Sequence, residues 1–348
     1  MLTHGSFDNL DPLLASEPAV VLATLVSATG SSSKKIGATM IVGRSGRLIG
    51  GVTIGGCVDA QVIEAADALV IAGGRRLLSI SLDDDEAWEI GLTCGGTLEV
   101  LLDRIQPQSA GDVIAAAHRT ANAAFARDEA AVIVTPLDGE RGAMVVTEAE
   151  ATHGSLDDVS PDAVSAIARD VLRSGSRVDT VDHRRLFFDR RVPPDTLVIV
   201  GAGQIAMSMT RMARELGMRT IVVDGRERYA TPERFPDADD VRVGMPSEIV
   251  AAIRPGKRVA IVLVAHDYKY ELPILRHVLR QPVGYIGMLG SRKRGAAVRA
   301  LLGDEGFSPE ELSRIRTPIG LDLGGRSSPE VALSILAEVV AMRNGKRA

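Results

Sequence analysis

The sequence predicts an α/β fold: a doubly wound parallel sheet in the C-terminal part, preceded by a smaller mixed α+β domain. Three observations carry that reading. From residue 197 onward, short apolar runs alternate with segments of helical length, the pattern of a parallel sheet covered on both faces. Upstream, strand-like runs flank Asp138-Gly139, a hairpin signal. Between the two parts, Asp189-Arg190-Arg191 leads into Pro193-Pro194, and paired prolines can neither continue a helix nor donate to a ladder. The chain therefore divides into 1–190 and 191–348. Its 348 residues suit two domains of about 150 residues each.

In the first part, residues 20–27 and 39–43 read as strands, followed by a turn at Arg44-Ser45-Gly46 and a further strand from Leu48. Residues 59–72 have helical length and stop at Gly73-Gly74. Residues 77–82 and 97–102 read as strands, as do 130–135 and 143–147 on either side of the hairpin signal. Residues 161–173 form a helix, with Ser160 as N-cap and Pro161 at its first position. In the second part the expected order is strand 197–200, helix 204–216, strand 220–223, helix 247–253, strand 259–265, helix 271–279 and strand 283–288. More helix follows, then a strand at 319–323 and a last helix over 328–342.

Composition excludes several classes. Forty basic against 45 acidic residues give a formal charge of −5, which supplies no net pull towards nucleic acid or an anionic membrane. No apolar run approaches the roughly 20 residues that span a bilayer. The N-terminus lacks the basic and apolar segments of a signal peptide, so a cytoplasmic protein is expected. Two cysteines cannot build a disulfide framework. Set against the scattered His4, His118, His153, His183, His266 and His277, they show no zinc-ligand spacing.

Gly201-Ala202-Gly203-Gln204-Ile205-Ala206 follows a strand and opens a helix. The first glycine permits the tight turn, the second lets a phosphate approach the backbone, and the small sixth residue lets helix and strand pack closely. Asp224 ends the next strand about 20 residues on, where an acid can accept from a ribose hydroxyl. The pattern is Rossmann-like and makes Gly201, Gly203, Gln204 and Asp224 candidates for binding a nucleotide or pterin phosphate. Asp224 favours NAD over NADP, and Arg226 and Arg228 blur that preference. The bland alternative is a turn of this shape that serves structure alone.

Both cysteines sit beside glycine pairs, Gly55-Gly56-Cys57 and Cys94-Gly95-Gly96. A glycine-rich turn opening the helix near Asp59 presents free N–H groups and a positive dipole end, which suits an anion and lowers a thiol pKa. Cys57 and Cys94 are therefore candidate ligands or nucleophiles, although free cysteines are also common as small buried hydrophobes. Thr29-Gly30-Ser31-Ser32-Ser33-Lys34-Lys35 offers hydroxyls and two ammonium groups, either another phosphate cradle or a polar loop. Ser291 and Arg292, after the strand at 283–288, form a candidate anion site at a helix start. His266 and Asp267 end the strand at 259–265, at the rim where open α/β sheets bind ligands. There they are an acid–base candidate or a loop fastener.

Taken together, the chain resembles the XdhC/CoxI family, accessory factors for xanthine dehydrogenase and related molybdenum hydroxylases. The matching segments are 29–40 (TGSSSKKIGATM), 55–62 (GGCVDAQV), 92–100 (LTCGGTLEV), the turn at 201–206, 265–275 (AHDYKYELPIL), 285–292 (YIGMLGSR) and 318–337. The resemblance implies binding of molybdenum cofactor, as molybdopterin or its dinucleotide form. It further implies sulfuration with a cysteine desulfurase, delivery to an apo molybdenum hydroxylase, and a homodimer. On that basis Cys57 and Cys94 lead as cofactor contacts, including to molybdenum, with Gly55, Gly56, Gly95 and Gly96 beside them. Three positions depart from the family pattern: Asp59 in place of Glu, Ala206 in place of the third glycine, and Tyr268 where a second His follows His-Asp.

The leading expectation is a maturation chaperone that is not itself a turnover enzyme. The alternative is an NAD(P)-dependent oxidoreductase using the 201–206 turn, Asp224 and His266, and a third reading is a structural adaptor for a hydroxylase.

Overall fold

A strand with apolar side chains on both faces must be covered on both, and the first strand of this chain is such a strand: Val20, Val21, Leu22, Ala23, Leu25 and Val26 are all buried. The structure, a computed structural model, describes residues 17–29, 36–44, 46, 48–52, 57–82, 96–138, 141–149, 151–265 and 267–346. These form two compact units, divided between Pro193 and Pro194.

The first unit runs β1 (Val20–Ala28), β2 (Thr39–Gly43), β3 (Leu48–Gly50), α1 (Cys57–Ala72), β4 (Arg75–Leu82), β5 (Gly96–Ile105), α2 (Val113–Phe125), β6 (Ala131–Pro136), β7 (Ala143–Thr147), β8 (Thr152–Ser155), α3 (Pro161–Ser174), β9 (Arg177–Val181) and β10 (Arg184–Arg191). Two antiparallel sheets result, in the orders β3-β2-β1-β5-β4 and β8-β7-β6-β10-β9. Helix α2 lies between them. Its Ile114, Ala115, Ala117, Ala121 and Ala124 pack against Val20, Leu22 and Ile105 on one side and Ala131, Ile133 and Val145 on the other. Alanines on this helix let both sheets approach closely. Asp112 caps it, accepting from the N–H groups of Ile114 and Ala115. The outer faces are covered by α1, through Val58, Val62 and Ala66, and by α3, through Val164, Ala168 and Val171. Arg75 ties the sheets together: its Nε donates to Asp103 at 2.8 Å and its Nη1 to the Pro136 carbonyl at 2.6 Å.

The second unit runs β11 (Thr196–Val200), α4 (Gln204–Glu215), β12 (Arg219–Asp224), β13 (Asp240–Val243), α5 (Pro246–Ala251), β14 (Val259–Leu263), α6 (Tyr268–Val278), β15 (Tyr285–Met288), α7 (Arg292–Asp304), α8 (Pro309–Ser313), β16 (Ile315–Arg316) and α9 (Ser328–Arg343). All six strands are parallel, in the order β13-β12-β11-β14-β15-β16. That is the Rossmann order, whose reversal between β11 and β14 opens a crevice at the strands' carboxyl ends.

The expected strand at 319–323 is not formed; the last strand is β16, earlier in the chain. The backbone of this segment bonds to helix α9 instead of a neighbouring strand. Gly320 N–H donates to the Glu338 carboxylate at 2.8 Å, and Leu321 N–H donates to the Ser334 carbonyl at 3.1 Å. The charged stretch 189–191 likewise belongs to β10, where buried Asp189 accepts from Arg191 Nε at 2.7 Å.

His118, on the helix between the two sheets, is buried. Burial, followed by the neighbouring Arg191 charge, holds its pKa well below the ordinary histidine value. The folded protein therefore keeps it neutral while the unfolded chain protonates below pH about 6.5, so stability falls as pH drops through that value, by up to about 1.4 kcal/mol per pH unit. Urea denaturation at pH 7.5 and 5.5 will show a smaller acid-induced loss for His118→Gln than for the parent.

Candidate functional site

The glycine turn joins β11 to α4 at the point where the strand order reverses. Gly201 adopts φ +113°, and a Cβ there would lie 2.6 Å from the backbone nitrogen of Ala265. Only glycine lets this turn lie flush against the segment after β14. Gly203 has open space around its missing Cβ. It begins α4 without any side-chain cap, so the first N–H groups of this helix are open to an acceptor.

The other long helices at this rim have their own acceptors. Asp267 takes the Lys269 N–H at 2.9 Å, and Ser291 Oγ takes the Arg294 N–H at 3.2 Å. At α9, Glu330 takes the N–H groups of Ser327 and Arg326 at 2.9 and 3.1 Å. Among these four helices, α4 is the one that begins with neither a side-chain cap nor a capping box. Gln204, at its start, accepts from Ser328 Oγ at 3.4 Å, which ties the beginnings of α4 and α9 together.

Asp224 holds the turn from below. Its Oδ2 accepts from the Ala202 N–H at 2.8 Å and Arg226 Nη2 at 2.7 Å. Its Oδ1 accepts from the Arg226 N–H at 3.0 Å and Nε at 2.9 Å. Burial by itself would raise the Asp224 pKa, but the Arg226 and Ala202 hydrogen bonds outweigh it and hold the carboxyl below its ordinary range. The latch stays charged at neutral pH and is lost only as pH falls through that lowered value.

Of the remaining candidates at this rim, Arg292 is exposed beside the Ser291 cap. Asp267 serves as the N-cap of α6, and His266 lies outside the described residues. Tyr268, the departure from the family pattern, is the platform for Arg294, whose guanidinium lies 4.3 Å above its ring and pairs with buried Glu271. This Tyr268–Arg294–Glu271 contact is not readable from the sequence; the spacing of an aromatic and an acid on one helix turn is its only trace there. The grip of Asp224 on the turn escapes sequence reasoning too, since the motif alone suggests an acid free to meet a ribose.

In the first unit, Gly55, Gly56, Cys94 and Gly95 lie outside the described residues, as does 30–35. Described residues that flank these segments in the sequence meet at one end of the first sheet. Thr29 and Thr97 bond reciprocally, Thr29 N–H to the Thr97 carbonyl and Thr97 N–H to Thr29 Oγ1, both at 2.9 Å. Gly96 therefore opens β5 beside the end of β1. Helix α1 finishes at the opposite end of the sheet, where Arg104 Nε donates to the Val70 carbonyl at 2.9 Å. Cys57, its first residue, lies at the end shared by Thr29 and Gly96. Among the described residues, no cluster of three or more His, Cys, Asp or Glu could hold a metal ion, and no helix is long and apolar enough to cross a membrane.

The model of the XdhC and CoxI family matches residues 13–81, and that of the XdhC Rossmann domain matches residues 197–339. The chain belongs to the XdhC/CoxI family. A probable xanthine dehydrogenase subunit from Bacillus subtilis is 28% identical over 97% of this chain and 98% of its own length. The molybdenum cofactor insertion chaperone PaoD of Escherichia coli is 26% identical over 95% of this chain and 85% of its own. A crystal structure of a xanthine dehydrogenase from Bacillus halodurans shares the fold, with a TM-score of 0.80 at 23% identity over 98% of this chain and 96% of that one. In this XdhC/CoxI chain the two matched segments contain the helix start at Cys57 and the glycine turn.

The two glycines of the turn make opposite predictions. Gly201→Ala will destabilise the protein by about 2 kcal/mol or more, because it forces a strained φ and a backbone overlap. Gly203→Ala will leave the unfolding midpoint in place but weaken binding of a diphosphate, read by calorimetry with ADP as probe. Equal stability losses in both variants would contradict this division of roles.

Proposed function

We propose that this chain is an accessory factor for molybdenum hydroxylase maturation. It binds molybdenum cofactor as cargo, supports its sulfuration with a cysteine desulfurase, and hands it to an apo-hydroxylase of xanthine dehydrogenase type. It acts as a cytoplasmic homodimer and not as a turnover enzyme.

The observation that carries this reading is the gathering of Cys57, Gly96 and Thr29 at one end of the first sheet. These residues flank the Gly-Gly-Cys, Cys-Gly-Gly and Ser/Lys motifs in the sequence, which supports a shared site for them. Soft thiolates suit molybdenum and sulfur chemistry, and hydroxyls with ammonium groups suit the pterin's terminal phosphate. In this reading Cys57 and Cys94 contact the cofactor at its metal end. The open start of α4 at Gly203, and the exposed Arg292 beside Ser291, receive a phosphate or nucleotide. The PaoD name agrees with a cofactor cargo, and the Bacillus subtilis name with a xanthine dehydrogenase client.

Anaerobic purification from a molybdenum-replete host tests the reading. Molybdenum and pterin are expected to co-purify in stoichiometric amounts and to vanish in a cofactor-deficient host. Cys57→Ala or Cys94→Ala is expected to lower both contents about tenfold, the scale of one lost direct contact, without shifting the unfolding midpoint. Full retention by both variants would remove the cysteines from the site. Absence of pterin from the parent protein would remove the cofactor reading itself.

A further inference from the structure

The acid that ends β12 is spent. A carboxylate offers about four lone-pair positions, and Asp224 fills two on each oxygen: Oδ1 with the N–H and Nε of Arg226, Oδ2 with the Ala202 N–H and Arg226 Nη2. It is also buried, at 3% exposure. In a Rossmann sheet this position normally accepts from the 2′-hydroxyl of a bound dinucleotide, and a nearby arginine instead accommodates a 2′-phosphate. Here a bare diol would find no vacant acceptor unless the Arg226 bonds were broken first.

Arg226 presents the opposite chemistry to the same space. Its side chain is half exposed, and it is held still from two directions. Asp224 grips its inner edge, and the Tyr229 ring lies 3.9 Å from its guanidinium carbon. Of the five guanidinium N–H donors, only Nε and Nη2 are engaged with Asp224. The remaining donors form a planar edge suited to a phosphate. Arg234 adds a second cation, 5.2 Å from the same ring and anchored by Nη1 on the Tyr229 carbonyl at 2.6 Å. Arg228 is exposed on the same segment. Of the acids there, Glu227 is exposed, and Glu233 is engaged with its own N–H and Thr231.

We infer that the rim beside β12 binds a dinucleotide carrying a phosphate on its ribose 2′ position, the NADP class, in preference to the NAD class with a free diol. Arg226 is the specificity-determining residue, and Asp224 is a positioning residue that fixes both Arg226 and the glycine turn. This reverses the preference suggested by the bare motif, in which the strand-end acid favours NAD. The inference rests on the Rossmann topology and these contacts, and is independent of the maturation role.

The test is calorimetric titration of the full chain with NADP⁺, NAD⁺, 2′-AMP and 5′-AMP at fixed low salt. NADP⁺ is expected to bind at least about tenfold more tightly than NAD⁺, the scale of one charge-assisted bidentate contact, and 2′-AMP more tightly than 5′-AMP. Arg226→Gln is expected to bring the two dinucleotides to within about threefold by weakening NADP⁺ alone, and Arg226→Lys to restore part of the difference. Equal or tighter binding of NAD⁺, a preference that survives Arg226→Gln, or failure of both dinucleotides to bind the parent protein would each overturn the inference. Pterin content of the same preparations reports the maturation role separately, so failure of one reading is distinguishable from failure of the other.

Discussion

The carboxylate of Asp224 is the interaction on which the second unit's chemistry depends. It is a buried charge, tolerable because four donors surround it, and two of those donors are backbone N–H groups that define the site. The Ala202 N–H belongs to the glycine turn, and the Arg226 N–H to the segment leaving β12. One side chain thus fastens the ends of two adjacent parallel strands together at the point where the strand order reverses. Gly201 completes the arrangement from the other side, because its lack of a Cβ lets the turn rest against Ala265. With the turn pinned on both sides, α4 begins in a set direction and its open N–H groups face the crevice.

The first unit solves a different problem. Two antiparallel sheets share one alanine-rich helix, and the buried Arg75–Asp103 pair reaches across to the Pro136 carbonyl. A charge pair with side chains only 6% and 5% exposed would be costly to break by removing one partner. This places the rigid part of the unit between the sheets. The described residues next to its motifs, Thr29 and Gly96, lie at an end of the first sheet, away from its packed middle.

The fold is legible wherever burial is one-dimensional in the sequence. The parallel strands β11, β12, β14 and β15 are continuous apolar runs because both their faces are covered, and the sequence shows them as such. The edge strands β13, β8 and β9 are not legible, because their side chains, apart from buried Val181, are partly or wholly exposed and carry no apolar pattern. Helix α2 escapes the apolar pattern although Asp112 and a run of alanines announce it, since alanine reads as neutral unless its helical preference is weighed. The segment 319–323 looks like a strand because Ile319 and Leu321 alternate with other residues, yet its backbone donors go to Ser334 and Glu338 of a helix that the linear pattern cannot place beside it.

The candidate site is legible as positions but not as roles. Gly201, Gly203 and Asp224 stand out by spacing, and they do converge on one turn. Whether an acid at a strand end is free or engaged depends on a neighbour two residues away and on where its guanidinium points. That is a matter of rotamers and stacking on Tyr229, which spacing does not encode. The central claim, that Asp224 fastens the glycine turn, is tested most directly by amide hydrogen exchange across residues 197–206 in the parent protein and in Asp224→Ala. Exchange at Ala202 is predicted to accelerate by at least about tenfold in the variant while the β6 strand of the other unit keeps its protection. Unchanged protection at Ala202 would contradict the claim.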